Sequence, residues 1–492
     1  MGGVKSCMAR TSLGIAGALL ALSAFCCSGG KGKVGDGGAG GQDGDARPGA
    51  GGQVNQDGGA GAGSGGAGGT PGAGGSAGSK GAGGGAGGAA GNNGGMGGAA
   101  GGASGSGGGT GGAAGVDGGM DSATSTSGQW VMGYYVGYDI NAYPIASIDW
   151  SGITHIIFAP LLVNADQSLD LSFNDENGTN QGPQDAMALA QAAHAHGVKA
   201  LLMLGGAGAG ANIATAAAAG KRAAFVNVLT SAMTTLGYDG IDLDWEDSVN
   251  LDDLVSLAQA LRASKPAMLL TYPAGAINGN FETVDPRMVT LAASLDRFNV
   301  QTYYPSTAFA GQGWSSWFSS PLSGASGSTP VAIDDTLQRY ATAGIPRSKL
   351  GMGIAFYAIC YTGGITGPRQ PTNGTTQQIT GGDNDYPLSL FFAAGGTFDS
   401  SAVGNRQRDT TAAEPYLTFG TAVNDAHCGA TTQYIPYEDE TSIAAKGAFS
   451  KANGYGGLII WTLEEGWLPT GASGGRARNA LMQALKSGFI DP

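Results

Sequence analysis

The sequence predicts an α/β fold, a closed (β/α)8 TIM barrel with a small subdomain inserted between strands 7 and 8, preceded by a disordered glycine-rich tether. From residue 129 onward, short apolar runs alternate with helical stretches. Eight such repeats fit a closed parallel barrel better than an open sheet. The runs are continuously apolar rather than strictly alternating, as is typical of strands buried on both faces. Residues 28–128, by contrast, contain almost no large apolar side chains.

The N-terminal 27 residues resemble an export signal. A short basic segment precedes an apolar run, Leu13–Phe25, that is too short to span a bilayer. The run leads into Cys26 and Cys27, which are the lipidation candidates of a bacterial lipoprotein signal, although Phe25 stands where a small residue is usual. Cleavage near Ala24 by an ordinary signal peptidase is the alternative. We therefore expect an exported protein, either a cell-surface lipoprotein with a lipid anchor in a membrane or a secreted protein.

Residues 28–128 form a linker dominated by Gly, Ala, Ser and Thr. Such a composition cannot bury enough apolar surface to offset its conformational entropy, so we expect it to be disordered. A flexible coil of about 100 residues has a root-mean-square reach of roughly 50–60 Å. The linker is interpreted as a passive tether for the domain at residues 129–492.

The barrel strands are predicted from the short apolar runs of this domain. They are Val131–Val136, Ile153–Ala159, Lys199–Leu204, Gly240–Glu246, Ala267–Tyr272, Phe298–Tyr303, Leu350–Phe356 and Gly457–Thr462. Amphipathic helices are predicted between them, and Asp285 before Pro286 is typical of an N-cap followed by proline at the first helical position. About 100 residues separate the last two strands. A structureless loop of that length is improbable in a compact domain, so residues 358–433 are expected to form the inserted subdomain.

The net charge bears on the choice of binding partners, and the cysteine content bears on disulfide formation. The formal net charge is −13 and no basic cluster is present, which argues against nucleic acid as a partner. After residue 27 the only cysteines are Cys360 and Cys428. In an exported protein we expect them to form a disulfide, worth roughly 4 kcal/mol in the chain-entropy model, with two buried thiols as the alternative. His194 and His196 face two directions on a helix, so we predict no metal site. We also expect no cofactor, and we expect the protein to be a monomer.

The segment Asp239–Glu246, DGIDLDWE, is the most informative part of the chain. On a single strand, Asp242, Asp244 and Glu246 project to one face, where like charges push their pKa values apart. That arrangement can keep one carboxyl protonated as a general acid beside an ionised neighbour. Calcium binding by the three carboxylates is the alternative, which a buried strand flanked by Trp245 disfavours.

This octapeptide matches the DGxDxDxE signature of glycoside hydrolase family 18, the chitinases and their relatives. The resemblance covers about three quarters of the chain, because other strands match the family as well. The matching segments are Gly133–Tyr135, Ile153–Ala159, Lys199–Gly206, Gln301–Tyr303, Lys349–Tyr357 and Gly457–Trp461. It implies a TIM barrel that acts on N-acetylglucosamine-containing polysaccharides or oligosaccharides.

The resemblance also implies a role for each residue of the motif. Glu246 is expected to be the general acid, and Asp244 to orient the 2-acetamido group of the substrate, which acts as the nucleophile in this family. Asp242 is expected to share a proton with Asp244. Tyr303 is expected to donate a hydrogen bond to the acetamide carbonyl. The expected substrate-binding residues are Trp461 beneath the sugar, Tyr134 and Phe158 at the rear, and Gln301.

Two residues depart from the family pattern. Met203 stands where the family has a serine that holds the innermost aspartate. A thioether cannot donate a hydrogen bond, so Asp242 must be held by another group, for which Tyr134 is the candidate. Tyr304 follows Tyr303 where many chitinases carry Asp or Asn.

Three functions remain open at this point. The leading hypothesis is retaining, substrate-assisted hydrolysis of β-1,4 linkages in chitin or chito-oligosaccharides. The second is an endo-β-N-acetylglucosaminidase acting on N-glycans or related glycoconjugates, and the third is a non-catalytic chitinase-like lectin. Loss of the acid is the usual mark of such lectins, and Glu246 is present. A loop aromatic group, Trp314, Trp317 and Phe318, is either a sugar-stacking surface or a local core.

Overall fold

A computed structural model describes most of the domain that follows the linker. The described residues are 129–280, 282–303, 314–329, 331–372, 379–380, 386–387, 406–425, 429–468 and 478–492. The predicted export signal, the lipidation candidates Cys26 and Cys27 and the tether at 28–128 lie outside them. So do Cys428 and Tyr304. The expectations for these residues stay predictions.

Eight parallel strands close into a barrel, which confirms the predicted fold class. The barrel strands are β1 (Trp130–Val136), β2 (His155–Val163), β3 (Lys199–Gly205), β4 (Gly240–Asp244), β5 (Leu269–Gly275), β6 (Arg297–Gln301), β7 (Leu350–Ala355) and β8 (Gly457–Trp461). Neighbours in chain order pair with each other, and β1 pairs with both β2 and β8, so the sheet has no free barrel edge. A short strand, Leu169–Asp170, pairs antiparallel with the end of β2.

Helices cover the outside of the barrel. Within the described ranges they are α1 (Gly182–Ala195), α2 (Gly210–Ala217), α3 (Arg222–Leu236), α4 (Leu251–Ser264), α5 (Pro286–Ser294), α6 (Ile333–Ala343), α7 (Glu440–Asn453) and α8 (Ala480–Leu485). The Asp285 carboxylate caps α5 by accepting a hydrogen bond from the Arg287 amide, with Pro286 at the first position, as the sequence predicts. In the part of the chain that the structure describes, no helix combines the length and apolar character needed to cross a bilayer.

One end of the barrel is filled by an aromatic side chain. The indole of Trp130 lies at the N-terminal end of the strands, with its N–H donating to Asn299 at 3.2 Å and the Arg297 guanidinium 4.6 Å from its ring centre. Glycines make room for it, since a Cβ on Gly456 would come within 1.9 Å of the ring. Trp130 therefore fills the barrel interior at this end, and barrels of this class bind their ligands at the other end, where the strands terminate.

The predicted end of the fourth strand is wrong in a way that matters for the site. β4 ends at Asp244, and the amide of Trp245 donates back to the carbonyl of Leu243 at 2.9 Å. The backbone therefore turns before Glu246. Strand alternation places Asp242 and Asp244 on one face, but Glu246 reaches the same region from beyond the strand.

Between β7 and β8 the chain forms a small antiparallel sheet. Its strands lie in the order Ile379–Thr380, Cys360–Tyr361, Gly429–Pro436, Glu414–Asp425, Arg406–Asp409, and a separate pair joins Tyr357–Ala358 to Tyr386–Pro387. This inserted sheet lies where the subdomain at 358–433 was expected, and its last strand ends three residues later. Cys360 is disulfide-bonded. Because Cys428 lies outside the described residues, its identity as the partner stays a prediction.

A fully buried polar network connects the inserted sheet to the barrel. The Glu414 carboxylate accepts hydrogen bonds from the amide and hydroxyl of Ser319, at 2.7 and 2.6 Å, and from the amide of Ser320 at 3.0 Å. Glu438 accepts from the Ser320 hydroxyl and pairs with the Lys446 ammonium. Burial, together with the nearby Glu438, raises the pKa of Glu414 to about 8. The segment after β6 is thus fixed against the inserted sheet through polar groups that water does not reach.

Replacing Lys446 with methionine removes the cation that pairs with Glu438. Since Glu438 would then be buried without its ionic partner, we expect the free energy of unfolding to fall by about 3–5 kcal/mol, measured by urea denaturation at neutral pH. Lys451→Met in the same helix is the matched control, because its ammonium only reaches the backbone carbonyl of Asp491 at the surface. Equal losses in both variants would contradict a special role for the buried pair.

The disulfide can be assigned directly. Proteolysis without reductant, followed by mass spectrometry, should give one linked species that contains the peptides of Cys360 and Cys428. Reduction should separate that species into its two peptides. Free thiols at both positions would refute the pairing.

Candidate active site

Three carboxyl groups meet at the C-terminal end of β4. The side chains of Asp242 and Asp244 are 0% and 2% exposed, whereas Glu246 is half-buried. Asp242 lies deepest, Asp244 comes next along the strand, and Glu246 follows the turn at the strand end. The sequence therefore predicted correctly that these groups lie together, although it predicted a longer strand.

Two hydroxyl groups hold Asp242. Tyr134 on β1 donates to Oδ2 at 2.7 Å, as predicted, and Thr271 on β5 donates to Oδ1. Burial raises the pKa of Asp242 to about 6, and the two hydrogen bonds act in the opposite direction because they favour the anion. With one hydroxyl on each oxygen, this carboxylate is already engaged by the protein, which does not suit a calcium ligand.

Thr271 is a site residue that sequence reasoning missed. It lies in an apolar run, Leu269–Gly275, in which nothing marks one threonine as different from the core. The signal that could have found it is strand register, since Thr271 and Asp242 are Cα partners on neighbouring parallel strands. Register depends on the whole barrel and is not visible in one segment.

The pKa values of Asp244 and Glu246 are both raised. Burial raises the pKa of both carboxyls, and for Asp244 the negative charges of Glu246 and Asp242 raise it further, to well above its usual value. The two groups are close enough to hydrogen-bond when Asp244 carries the proton. Asp244 Oδ1 is buried and has no partner among the described residues. The pair can therefore hold a proton at a pH where isolated carboxyls are ionised, and it retains one free acceptor.

A glycine pair lets the chain pass close to Asp244. Gly205 and Gly206 have φ values of +109° and +102°, which favour glycine, and the Gly206 amide donates to the Asp244 carbonyl at 2.7 Å. A Cβ on Gly205 would come within 2.3 Å of that carbonyl. The Met203 methyl group lies beside Gly206, where a Cβ would meet it at 2.9 Å. The thioether thus fills space next to the site without offering a hydrogen-bond donor.

Gln301 at the end of β6 contacts the predicted acid. Its amide Nε2 donates to Glu246 Oε1 at 2.7 Å. This hydrogen bond favours the ionised carboxylate, so it partly offsets the rise in the pKa of Glu246 that burial causes. Gln301 was predicted to bind substrate, and in this structure its amide is turned to the enzyme's own carboxylate.

Aromatic side chains surround the carboxyls. Tyr303 and Trp461 are both half-buried, and each packs against the barrel interior on one side and the inserted sheet on the other. The ring of Tyr303 lies over Gly353, where a Cβ would come within 2.7 Å of it. Trp461 packs against Tyr134 with ring centres 5.1 Å apart. Burial and the three nearby carboxylates raise the pKa of Tyr303 well above its usual value, which keeps its hydroxyl a donor.

The structure does not bring Phe158 to the site. Its ring packs against Phe173 with centres 4.6 Å apart, in the layer between strands and helices. Its neighbours in β2, Ile157 and Ala159, face the barrel interior instead. Because side chains alternate along a strand, Phe158 must face outward when these two face inward. The expectation that it lines the rear of the cleft is therefore wrong.

The loop aromatics form a local core. Trp314, Trp317 and Phe318 are 6%, 2% and 0% exposed, which leaves no ring face free for a sugar. Trp317 and Phe318 pack together and against Ala412 of the inserted region. Of the two alternatives that the sequence left open, the structure favours the core.

Within the described ranges, no three His, Cys, Asp or Glu side chains are arranged to hold a metal ion. His194 instead pairs with Asp239 at 2.8 Å, and Lys199 pairs with the same carboxylate at 3.0 Å. These residues lie at the N-terminal end of β3 and β4. Asp239, although it begins the sequence motif, is thus remote from the carboxyl group at the other end of β4.

Comparison with known proteins adds a family and a fold. The family model for glycosyl hydrolases family 18 matches residues 130–466. A probable endochitinase of Caenorhabditis elegans is 27% identical over 271 residues, which cover 51% of this chain and 40% of that protein. The chain thus spans about two fifths of the length of that relative.

Two solved structures share the fold. A Group IV chitinase of Ostrinia furnacalis superimposes with a TM-score of 0.58 at 19% identity, covering 74% of this chain and all of the other. A chitinase-like agglutinin of Robinia pseudoacacia superimposes with a TM-score of 0.54 at 21% identity, covering 73% of this chain and 98% of the other. At these identities the likeness concerns the fold.

Gln301→Met should raise the pKa of Glu246, because it removes a hydrogen bond that favours the carboxylate. The measurement is a carbon-13 titration of the glutamate carboxyls, in which Glu246→Gln identifies the resonance by its loss. Gln433→Met is the control, since Gln433 donates only to the Phe419 carbonyl in the inserted sheet. An unchanged titration in Gln301→Met would show that the contact does not tune the acid.

Proposed function

Because the chain belongs to glycosyl hydrolase family 18, we propose that it hydrolyses β-1,4 linkages between N-acetylglucosamine units, as in chitin or chito-oligosaccharides, with retention at the anomeric carbon. The observation that carries the proposal is the cluster of buried and half-buried carboxyls, with Asp244 and Glu246 at the end of β4, Asp242 beneath them, and Tyr303 and Trp461 around them. No cofactor takes part in the proposed reaction.

Glu246 is the proposed general acid. It is the outermost of the three carboxyls and half-buried, so it can meet a ligand at the mouth of the barrel. Burial raises its pKa, which keeps a proton available for the glycosidic oxygen.

The nucleophile is proposed to be the acetamido group of the substrate. Retaining glycosidases with an enzyme nucleophile place two carboxyls about 5–5.5 Å apart, flanking the glycosidic bond. Here Asp244 and Glu246 come from the same end of β4 and influence each other's pKa, which does not suit a pair that flanks the bond from opposite sides. The buried acceptor Asp244 Oδ1 suits the acetamide N–H, and the Tyr303 hydroxyl suits the acetamide oxygen.

The proposed reaction has two steps. In the first, the acetamide oxygen attacks the anomeric carbon, the bond to the leaving sugar breaks, and the leaving oxygen takes the proton of Glu246. The cyclic oxazolinium ion that forms carries a positive charge, which anionic Asp242 and the Asp244 pair stabilise. In the second, Glu246 removes a proton from water, which attacks the anomeric carbon and restores the acetamide. Two inversions give net retention.

Trp461 is proposed to bind the sugar by its ring face. The indole lies beside Tyr134 and is partly exposed at the end of β8. A pyranose has an apolar face, and burying it against an aromatic ring is favourable without the need for a further hydrogen bond.

Binding without cleavage is a second candidate. A protein known as a chitinase-like agglutinin has the same fold, so the fold alone does not separate a lectin from a hydrolase. The presence of Glu246, with its pKa raised by burial, supports cleavage.

The test uses the purified full chain with chitohexaose and, separately, with a high-mannose glycoprotein. We expect cleavage of chitohexaose and a loss of about 10²–10⁴-fold in kcat for Glu246→Gln, since an amide cannot supply the proton. Glu176→Gln, at an exposed position whose carboxylate accepts a hydrogen bond from the Asn141 amide, is the control and should keep full activity.

Each other outcome selects a different function. Release of glycans from the glycoprotein alone would indicate the endo-β-N-acetylglucosaminidase alternative. Tight binding of chitohexaose with cleavage of neither substrate would sink both enzymatic readings and favour the lectin.

A further inference from the structure

We infer that Thr271 is the residue that positions Asp242, the innermost carboxylate of the site, and that it takes over the function of the hydrogen-bond donor that the third strand lacks. The effect on catalysis rests on the function proposed above. The hydrogen bond between Thr271 and Asp242 is seen in the structure whatever the function.

Register places the two candidate positions on opposite sides of Asp242. Met203 on β3 and Thr271 on β5 are both its Cα partners. A thioether offers no donor, whereas the Thr271 hydroxyl donates to Oδ1. Thr271 is 1% exposed, so water does not compete for that hydrogen bond. The hydrogen-bond donor to Asp242 is therefore on β5 and not on β3.

The two hydroxyls leave Asp242 held at both oxygens. Tyr134 occupies Oδ2 at 2.7 Å and Thr271 occupies Oδ1. Both are donors here, so the arrangement suits a carboxylate rather than a carboxylic acid. Removing either donor leaves a buried carboxylate oxygen without a partner, which is costly in an apolar interior.

Hydrogen bonds are the main protein contribution that favours the anion at this position. The titratable groups facing Asp242 are Tyr134 from β1, Asp244 from β4, Glu246 beyond it and Tyr303 from the end of β6, while β3 and β5 present Met203 and Thr271. None of these is a cation. Without the Thr271 hydroxyl, burial acts against the anion with less opposition, and the pKa of Asp242 rises.

A neutral Asp242 alters the rest of the site. Its negative charge contributes to the raised pKa of Asp244 and thus helps that carboxyl to hold a proton. Loss of that charge also removes an anion from beneath the cationic intermediate. The reaction therefore requires Asp242 ionised, and the pH below which activity fails is set in part by Thr271.

The experiment compares three variants in the full chain. Thr271→Val keeps the shape and removes the hydroxyl, Thr271→Ser keeps the hydroxyl, and Met203→Ser combined with Thr271→Val returns a donor to the third strand. With chitohexaose as substrate, Thr271→Val should lower kcat about tenfold with little change in KM. The acidic limb of its rate profile should move to higher pH. Thr271→Ser should resemble the parent, and Met203→Ser should restore part of the loss.

A second readout does not depend on activity. Asp242 has a folded-state pKa above its unfolded value, so its ionisation destabilises the fold at pH values above both and has no effect below both. Thr271→Val enlarges that cost, so its deficit in Tm relative to Thr271→Ser should be larger at pH 8 than at pH 4. A deficit independent of pH would mean that the threonine only fills space.

The outcomes separate the two proposals. Thr271→Val with an unmoved acidic limb and a pH-independent deficit in Tm would overturn the positioning role, even if the parent protein is an active hydrolase. If the parent protein cleaves no N-acetylglucosamine oligomer, the proposed function fails. The dependence of the Tm deficit on pH then still supports or overturns the assignment of Thr271.

Discussion

The confinement of three carboxyl groups to one buried strand end is the constraint on which the rest of the site depends. Such groups cannot all be ionised without help in an apolar interior. At least one must hold a proton, or hydrogen-bond donors must stabilise the carboxylates that remain ionised. Here Asp242 is held by two hydroxyls, while burial raises the pKa values of Asp244 and Glu246 and favours a proton on the pair. The glycine pair Gly205–Gly206 lets the loop approach the backbone of Asp244 at the same strand end.

The sequence was sufficient for the barrel and for the central motif, because both depend on local patterns. Apolar runs mark strands, and DGIDLDWE is dense enough in acidic residues to be conspicuous. The contact of Tyr134 with Asp242 could also be expected, since a buried carboxylate with a methionine beside it on the third strand needs a hydroxyl from another strand. That prediction follows from the requirement that a buried carboxylate has a hydrogen-bond donor, and it needs no knowledge of the strand register.

Errors arose where the answer depended on other strands. The outward orientation of Phe158 follows from the parity of β2, which its own apolar neighbours do not reveal. Thr271 could be found only from the register between β4 and β5. The sequence left open whether Trp317 and its neighbours form a binding surface or a core, because the choice depends on a residue about a hundred positions later that packs against them. Each error concerns a contact that is distant in sequence.

The buried network between the barrel and the inserted sheet bears on how such a module can be exchanged. Glu414 belongs to the inserted sheet, but the serines that bind it lie after β6. The lysine that pairs with the neighbouring Glu438 lies in α7. If only the inserted sheet were transferred to another barrel, Glu414 would move with it, but its serine partners and Lys446 would stay behind. For recombination between relatives, the inherited unit is therefore larger than the insertion, and its boundaries run through the barrel itself.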